Sequence, residues 1–277
     1  MNQEARQYPS DLTNQQWEII KVYVPAARVG GRKRTTDVRR VIDAILYLIR
    51  TGCAWRYLPK EYPPWPTIYD YFCRWRDDGT WLKIHRALAQ KVRVNKGRSD
   101  SPNLVIIDGQ SVKAQYGEER GWDGFKKVRG RKRQILVDSL GIIWAAKVHR
   151  ANQQESTRGD EVIKNYPLDI KQPSVLLGDS GYDKSPFDGR VYGYWGIWPE
   201  AIKGSKPMVR NKAGYLRATI TVSNLKPQRW IVERSFAWFN HTRRLARDYE
   251  RKVINSEVLL YLSQMSLLLN RLAPDTG

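Results

Sequence analysis

Two acidic residues follow aliphatic runs and could hold a metal ion. Asp108 closes the run LVIID (104–108), and Asp179 closes the run VLLGD (175–179). Each run predicts a buried strand, and ligands collect at strand ends of α/β sheets. A single aspartate at such a place usually starts a turn or caps a helix. Two carboxylates in one cleft repel each other, however, and are tolerated best around a divalent cation. We therefore predict a site for Mg²⁺, with Mn²⁺ as a substitute, because oxygen ligands suit these ions.

A third acid is predicted on the segment RWIVERSFAWFNHTRRLARDYE (229–250), interpreted as one helix. At 100° per residue, four polar side chains fall within a sector of about 60°: Arg229, Glu233, Asn240 and Arg244. Val232, Phe236 and Phe239 form the neighbouring apolar stripe and are expected to pack. Glu233 would complete the acidic set, and the flanking guanidiniums and amide would bind a phosphate backbone. The alternative is that Glu233 only forms exposed ion pairs along the helix.

The net charge predicts a polyanionic partner. The chain has 48 Lys and Arg against 28 Asp and Glu, which gives +20 and a pI near 10. Neutralising phosphates with release of counterions favours nucleic acid as that partner. The run FKKVRGRKR (125–133) would hold phosphates next to Asp108, although such a run can also be a solvated loop. The cations predicted to bind DNA here are Lys113, Lys126, Lys127, Arg129, Arg131, Lys132 and Arg133.

The other composition signals predict a soluble protein of the reducing cytosol. No apolar run has the ~18–20 residues that a membrane span needs, and MNQEARQYPSDL has no signal-peptide core. No membrane partner is expected. Cys53 and Cys73 have no metal-ligand or disulfide pattern around them and are predicted to be small core residues.

Residues 1–98 are predicted to form a small helical domain. Thr13 and Gln16 have the spacing of a capping box, and TTDVRRVIDAILYLIRTG (35–52) carries one apolar stripe before Gly52. The outer faces and joining loops are basic, which favours a helix-turn-helix-like DNA-binding domain. A helical bundle that does not contact DNA would show the same stripes. The cations concerned are Arg32, Lys33, Arg34, Arg39, Arg40, Arg74 and Arg76.

Residues 99–277 are predicted to form an α/β domain, with the boundary in the turn-rich segment 92–103. A buried strand at 103–114 is followed by a hairpin that turns at 139–141, a helix at 154–166 and the strand that ends at Asp179. Two closing helices follow. This order indicates a mixed sheet covered by helices.

Four blocks in this order resemble the DDE transposases of short bacterial insertion sequences: VIIDGQSVK, KKVRGRKRQILVDSLG, LLGDSGYD and the helix with Glu233. The segments YPSDLTNQQWEII and RTGCAWRYLP resemble the N-terminal region of these enzymes. The resemblance implies a ribonuclease H-like catalytic domain, with Asp108, Asp179 and Glu233 as the acidic triad and Arg229 as the motif arginine. The chain departs from the motif at Lys226, where Tyr is usual, and at Asn240, where Lys is usual.

The resemblance and the acids together predict a metal-dependent enzyme that cuts DNA and joins strands. It would bind the terminal inverted repeats of its element and transfer the 3′-hydroxyl ends to target DNA by two-metal-ion chemistry. The resemblance also implies a homodimer on double-stranded DNA, in the bacterial cytoplasm and associated with the nucleoid. Two other functions stay open at this point, namely a structure-specific nuclease of the same fold and a DNA-binding relative without catalysis. The aromatic cluster YGYWGIWP (192–199) could stack on a flipped base or lie in the core.

Overall fold

A computed structural model describes residues 6–27, 30, 34–117, 119–182, 185–196, 200–203, 206–207 and 230–275. Four residues named above, Arg32, Lys33, Lys226 and Arg229, lie outside these described residues. So does part of the aromatic cluster, at 197–199. The chain divides into two compact units: residues 1–100 together with 239–277 form the first, and residues 101–238 form the second.

The first unit is helical. Its helices are α1 (Asn14–Ile20), α2 (Val38–Thr51), α3 (Trp65–Asp77), α4 (Thr80–Asn95) and α8 (Val253–Leu272).

Local sequence signals explain where these helices begin and end. The Thr13 side chain accepts a hydrogen bond from the backbone of Gln16, whose side chain accepts one from the backbone of Thr13, so the predicted capping box is present. Gly52 ends α2 in the left-handed conformation, with φ of 75°. The predicted stripe of α2, from Val38 to Ile49, is buried. These predictions of local structure are confirmed.

Several cations of the first unit are engaged within it. Arg40, for example, forms an ion pair with buried Asp11 at 3.0 Å. The same unit contains further internal hydrogen bonds or ion pairs made by Arg34, Arg39, Arg74 and Arg76. The helix-turn-helix-like function of this region stays a prediction.

The second unit contains a mixed sheet. Its strands are β1 (Leu104–Lys113), β2 (Gly121–Asp123), β3 (Val128–Asp138), β4 (Ile143–Arg150), β5 (Val175–Asp179), β6 (Glu200–Lys203) and β7 (Lys206–Pro207). Its helices are α5 (Glu155–Lys164), α6 (Ser185–Trp195) and most of α7 (Trp230–Asn240). Neighbouring strands follow the order β2, β3, β1, β5, β6, β7, and β4 also pairs with β3. The predicted mixed α/β sheet is confirmed.

β1 is paired along both edges. It runs antiparallel to β3 from Val105 to Lys113, and its first part is parallel to β5. The aliphatic residues Val105, Ile106 and Ile107 are buried, as is typical of a strand in the interior of a sheet with covered faces. The aliphatic run ends at Asp108, but the strand continues, close to the predicted range 103–114. Asp108 lies near its middle, because pairing with β3 extends past it to Lys113.

Other elements differ from the prediction in extent. β3 begins at Val128, so six of the nine residues of the basic run lie inside the sheet and not in a loop before it. Helix α4 continues to Asn95, into the predicted boundary segment. The predicted change of domain after residue 98 lies close to the change of unit after residue 100. The C-terminal segment 239–277, which was assigned to the catalytic region, groups with the first unit.

No helix among the described residues has both the length and the hydropathy that crossing a membrane requires.

Candidate metal centre

The register between β1 and β5 brings Asp108 and Asp179 together. Leu104 pairs with Val175 and Ile106 with Leu177, so partners differ by 71 in residue number. Asp108 and Asp179 differ by the same number, which places them side by side on adjacent parallel strands. Side chains two residues apart on a strand share a face, so both carboxylates follow the same face as Ile106 and Leu177. Regular strand pairing therefore accounts for the predicted meeting of the two acids.

A third carboxylate, Glu155, joins them. One ligand oxygen from each of Asp108, Glu155 and Asp179 lies within 4.8 Å of the other two, and all three residues are half-buried. Glu155 is the first residue of α5. Three oxygen donors at this separation can surround one divalent cation.

Backbone amides orient both aspartates. The Gly109 N–H donates to Asp108 Oδ1 at 2.7 Å, and the Gly181 N–H donates to Asp179 Oδ1 at 2.8 Å. These bonds hold each carboxylate close to its own main chain. The two aspartates are therefore fixed largely by residues next to them in sequence.

Lys132 contacts the cluster through Glu155. Its Nζ lies 3.3 Å from Glu155 Oε1 and 3.8 Å from Asp123 Oδ2, and its side chain is only 10% exposed. Burial raises the pKa of Glu155, Lys132 opposes this rise, and the nearby charge of Asp179 adds to it. The three like charges of the cluster repel one another, and Lys132 offsets this repulsion at Glu155.

A buried polar network lies behind the cluster. Gln134 Nε2 donates to the backbone oxygen of Glu155 and to the Tyr182 hydroxyl oxygen, both at 2.8 Å, and Gln134 Oε1 lies 3.0 Å from His149 Nε2. Burial raises the pKa of Tyr182 well above its usual value, and the charges of Glu155 and Asp108 raise it further. Tyr182 therefore stays protonated and packs under the acids as a neutral group.

The structure places Glu233 on α7, with an exposed side chain, and it is not one of the three clustered acids. The apolar stripe beside it is confirmed, since Val232 and Phe236 are buried. The Ser235 hydroxyl donates to the Gly141 carbonyl at 3.0 Å, which fixes this part of α7 to the β3–β4 turn. Asn240 is the exposed last residue of α7. The roles of Glu233 and Asn240 stay predictions, and Arg229 lies outside the described residues.

The prediction that Arg244 shares a helix face with Glu233 is wrong. α7 ends at Asn240, because Thr242 takes an extended backbone and a short 3-10 turn follows at Arg243–Leu245. Arg244 is buried, and its Nε donates to Glu250 Oε1 at 3.0 Å. A second bond runs from its guanidinium to the Cys53 carbonyl. These contacts direct Arg244 into the first unit and away from solvent.

The basic run 125–133 divides into an exposed half and a buried half. Lys126 and Lys127 lie in the exposed turn between β2 and β3, and Arg129 is exposed at the start of β3. Lys113, which pairs with Gly130 of the neighbouring strand β3, is exposed as well. By contrast, three cations predicted to bind DNA are 0–8% exposed: Arg131, Lys132 and Arg133. All three lie on the part of β3 that pairs with both β1 and β4.

Glu155 is the residue that the sequence analysis did not single out. An acid at the start of a helix has an ordinary structural reason, the favourable helix dipole. Two signals could have pointed to it: it opens the first helix after the hairpin of β3 and β4, and a glycine follows Asp108. A side chain at Gly109 would meet the carboxyl group of Glu155 at 2.8 Å.

Comparisons with known proteins match most of the chain. Residues 12–85 match the family described as "Putative transposase of IS4/5 family", and residues 99–269 match "Transposase DDE domain". An "Uncharacterized protein y4sN" from Sinorhizobium fredii is 31% identical over 103 residues, which are 37% of this chain and 76% of that protein. A "Putative transposase for insertion sequence element IS402" from Burkholderia cepacia is 32% identical over 130 residues, or 44% of this chain. The chain spans about half, 55%, of the length of this second relative.

Proposed function

This chain belongs to the DDE transposases of the IS4/5 family, and we propose that it cuts DNA at the ends of its element and joins the freed 3′-hydroxyls to target DNA. Membership of the family confirms the predicted ribonuclease H-like fold. The observation that carries the proposed chemistry is the meeting of Asp108 and Asp179 on adjacent strands, with ligand oxygens within 4.8 Å.

The donor chemistry of the site fits a hard divalent cation. The clustered atoms are carboxylate oxygens, which suit Mg²⁺ and Mn²⁺. The repulsion among these acids would be relieved by such an ion. We therefore propose Mg²⁺ as the cofactor, with Mn²⁺ as a substitute, held by Asp108 and Asp179. Glu233 stays the predicted third acid of the family triad and would serve a second ion.

Bound metal ions would supply activation of the attacking water or 3′-hydroxyl and stabilisation of the leaving oxygen in an in-line displacement. The part of Asp108 and Asp179 is to hold the site in a fixed geometry, with their backbone hydrogen bonds setting the direction of each carboxylate. The chemistry needs no covalent protein nucleophile. The same residues can serve first cleavage and then joining, because both are phosphodiester displacements.

Exposed cations near one end of β1 would position the DNA backbone. Asp108 and Lys113 are five residues apart on β1, a distance of about 17 Å. Four of the exposed cations near this end were predicted to bind DNA: Lys113, Lys126, Lys127 and Arg129. Phosphates recur every ~3.4 Å along one strand, so these side chains would contact phosphates some five nucleotides from the reacting one. Such contacts position DNA without reading its sequence.

Joining two element ends needs two sets of acids in most arrangements, so we propose that the chain acts as a homodimer on the terminal inverted repeats. This assembly would bring one metal centre to each end.

The experiment that tests the proposal uses short duplexes labelled at the element's terminal repeat, mixed with an unlabelled target plasmid. With Mg²⁺, the wild-type chain should yield both cleaved ends and larger products in which label is joined to plasmid. Asp108→Asn and Asp179→Asn should bind the repeat but give neither product, because each removes a metal ligand with little change in shape.

Three results would overturn the proposal in different ways. Cleavage without joined product would support a nuclease of the same fold. Repeat binding without cutting in any divalent metal would support a DNA-binding relative. Wild-type turnover by Asp108→Asn would remove this residue from the site.

A further inference from the structure

Glu155 lies where a metal bound by the two aspartates would be. Its ligand oxygen is within 4.8 Å of those of Asp108 and Asp179. We infer that Glu155 is a metal ligand and completes a three-carboxylate site within the second unit before DNA binds. The inference rests on the proposed function, since it adds a ligand to that same site.

Gly109 provides independent support for this placement. A Cβ built at Gly109 would lie 2.8 Å from both Cδ and Oε1 of Glu155. Contacts below about 3 Å are essentially never made by real Cβ atoms, so the carboxyl group of Glu155 occupies the space that a side chain at residue 109 would fill. The missing side chain beside Asp108 is what allows the Glu155 carboxylate to approach this aspartate.

The main chain and side chain of Glu155 are both held from β3. Gln134 donates to its backbone oxygen at 2.8 Å, which fixes the first turn of α5. Lys132 lies 3.3 Å from Oε1, and its side chain is nearly buried. Gln134 and Lys132 are two residues apart on one strand and so share a face. A glutamate that was only exposed on the helix surface would not need both contacts.

The structural alternative is that Glu155 exists only to pair with Lys132. That alternative predicts no effect of Glu155 on metal affinity, whereas a ligand role predicts a large one. Lys132 is then a positioning residue: it neutralises Glu155 in the metal-free protein and keeps the carboxylate near the aspartates.

The test measures the affinity of the full chain for Mn²⁺ alone, without DNA. Electron paramagnetic resonance reports the concentration of the unbound ion. We expect Glu155→Gln to weaken Mn²⁺ binding by tenfold or more, as Asp108→Asn and Asp179→Asn should. Loss of supporting contacts around metal ligands already costs 10–100-fold in other sites. Glu161→Gln, six residues later on α5 and paired with Arg158 at 2.7 Å, is the matched control and should bind like wild type. Circular dichroism checks that each variant is folded.

A double-mutant cycle with Gly109 makes the test specific to geometry. Gly109→Ala should displace the flexible end of Glu155 without moving backbone and weaken Mn²⁺ binding several-fold. In a Glu155→Ala background, the same glycine change should have no further effect. Gly189→Ala, where no neighbouring atom lies within 4 Å of the added Cβ, controls for the substitution itself.

Failure of the inference is distinguishable from failure of the proposed function. If both aspartate variants lose Mn²⁺ but Glu155→Gln binds like wild type, Glu155 is only the partner of Lys132 and the inference is overturned. If wild type binds no Mn²⁺ and gives no strand-transfer product with DNA, the proposed function itself fails.

Discussion

Removing one carboxylate from the cluster should stabilise the metal-free protein. Asp108, Glu155 and Asp179 bring three negative charges within 4.8 Å of one another. Two charges at this separation repel by about 3.5 kcal/mol at an effective dielectric constant of about 20, and by about 0.9 kcal/mol in water. Because the three residues are half-buried, each pair should lie between these limits. Lys132 compensates part of the repulsion at Glu155.

Asp108→Asn removes two of these pairs and keeps the oxygen that accepts from Gly109 N–H. We therefore expect its free energy of unfolding in EDTA to exceed that of wild type by about 1–3 kcal/mol, after partial compensation by nearby cations. Each kcal/mol corresponds to a rise of about 2–4 °C in Tm for a chain of this size. At about 0.15 M salt the Debye length is about 8 Å, so distant surface charges are screened while the repulsion within the cluster remains.

Adding Mg²⁺ should stabilise wild type relative to Asp108→Asn. An ion at ten times its Kd stabilises wild type by about 1.4 kcal/mol, whereas the variant that has lost a ligand gains little. Thermal unfolding of wild type and Asp108→Asn, each in EDTA and in Mg²⁺, measures this change in their relative stability. Glu161→Gln should lack the rise in EDTA, because it removes an attractive contact. An Asp108→Asn protein less stable than wild type in EDTA would refute the claim that the cluster stores repulsion.

The remaining predictions concern the surface, α7 and the first unit. Neutralising Lys126, Lys127 and Arg129 should weaken binding to all DNA sequences alike. The slope of log affinity against log salt concentration should flatten by roughly 0.9 per lost contact. An unchanged slope would exclude phosphate contact by these three residues. Val232→Asp should lower the free energy of unfolding by about 3 kcal/mol or more through a buried unpaired charge, while Ala237→Asp on the exposed face of α7 should change it by less than about 0.5; equal effects would mean that α7 packs differently. Arg244→Met should cost about 3–5 kcal/mol of stability by leaving Glu250 buried without its partner. A variant that is as stable as wild type but binds DNA more weakly would support the predicted DNA contact of Arg244. Burial lowers the pKa of His85 to about 4, so the contribution of the neutral imidazole to stability is complete above pH ~6.5 and is lost as the pH falls toward 4. In urea unfolding, the free energy of unfolding of His85→Gln should therefore depend less on pH between ~6.5 and ~4 than that of wild type. The same pH dependence in both proteins would contradict this.

The parts of the site that follow strand patterning were predictable from sequence. Asp108 and Asp179 were found because aliphatic runs mark buried strands, and the structure adds that their spacing equals the register offset of β1 and β5. The helices of the first unit were predictable for a similar reason, since their stripes have a helical period. In both cases the local pattern and the tertiary packing agree.

The parts that depend on contacts between distant segments were not predictable. Glu155 reaches the aspartates only because α5 returns over β3, and its position at a helix start has a local explanation that hides this role. A count of charges cannot tell exposed Lys126 from buried Lys132, because burial follows from where β3 begins. Arg244 was misplaced because the helix was extended through Asn240 and Thr242, residue types that only weakly favour a helix.

The most direct test of the metal centre is a map of where a bound ion sits. Fe²⁺ substituted for Mg²⁺, with ascorbate and peroxide, breaks the peptide backbone next to its ligands. Mass spectrometry of the full chain should then find cuts near Asp108, Glu155 and Asp179 that excess Mg²⁺ suppresses and that Asp108→Asn abolishes. Cuts confined to other regions, or cuts at these residues that Mg²⁺ does not suppress, would contradict the assignment of this cluster as the metal centre of the transposase.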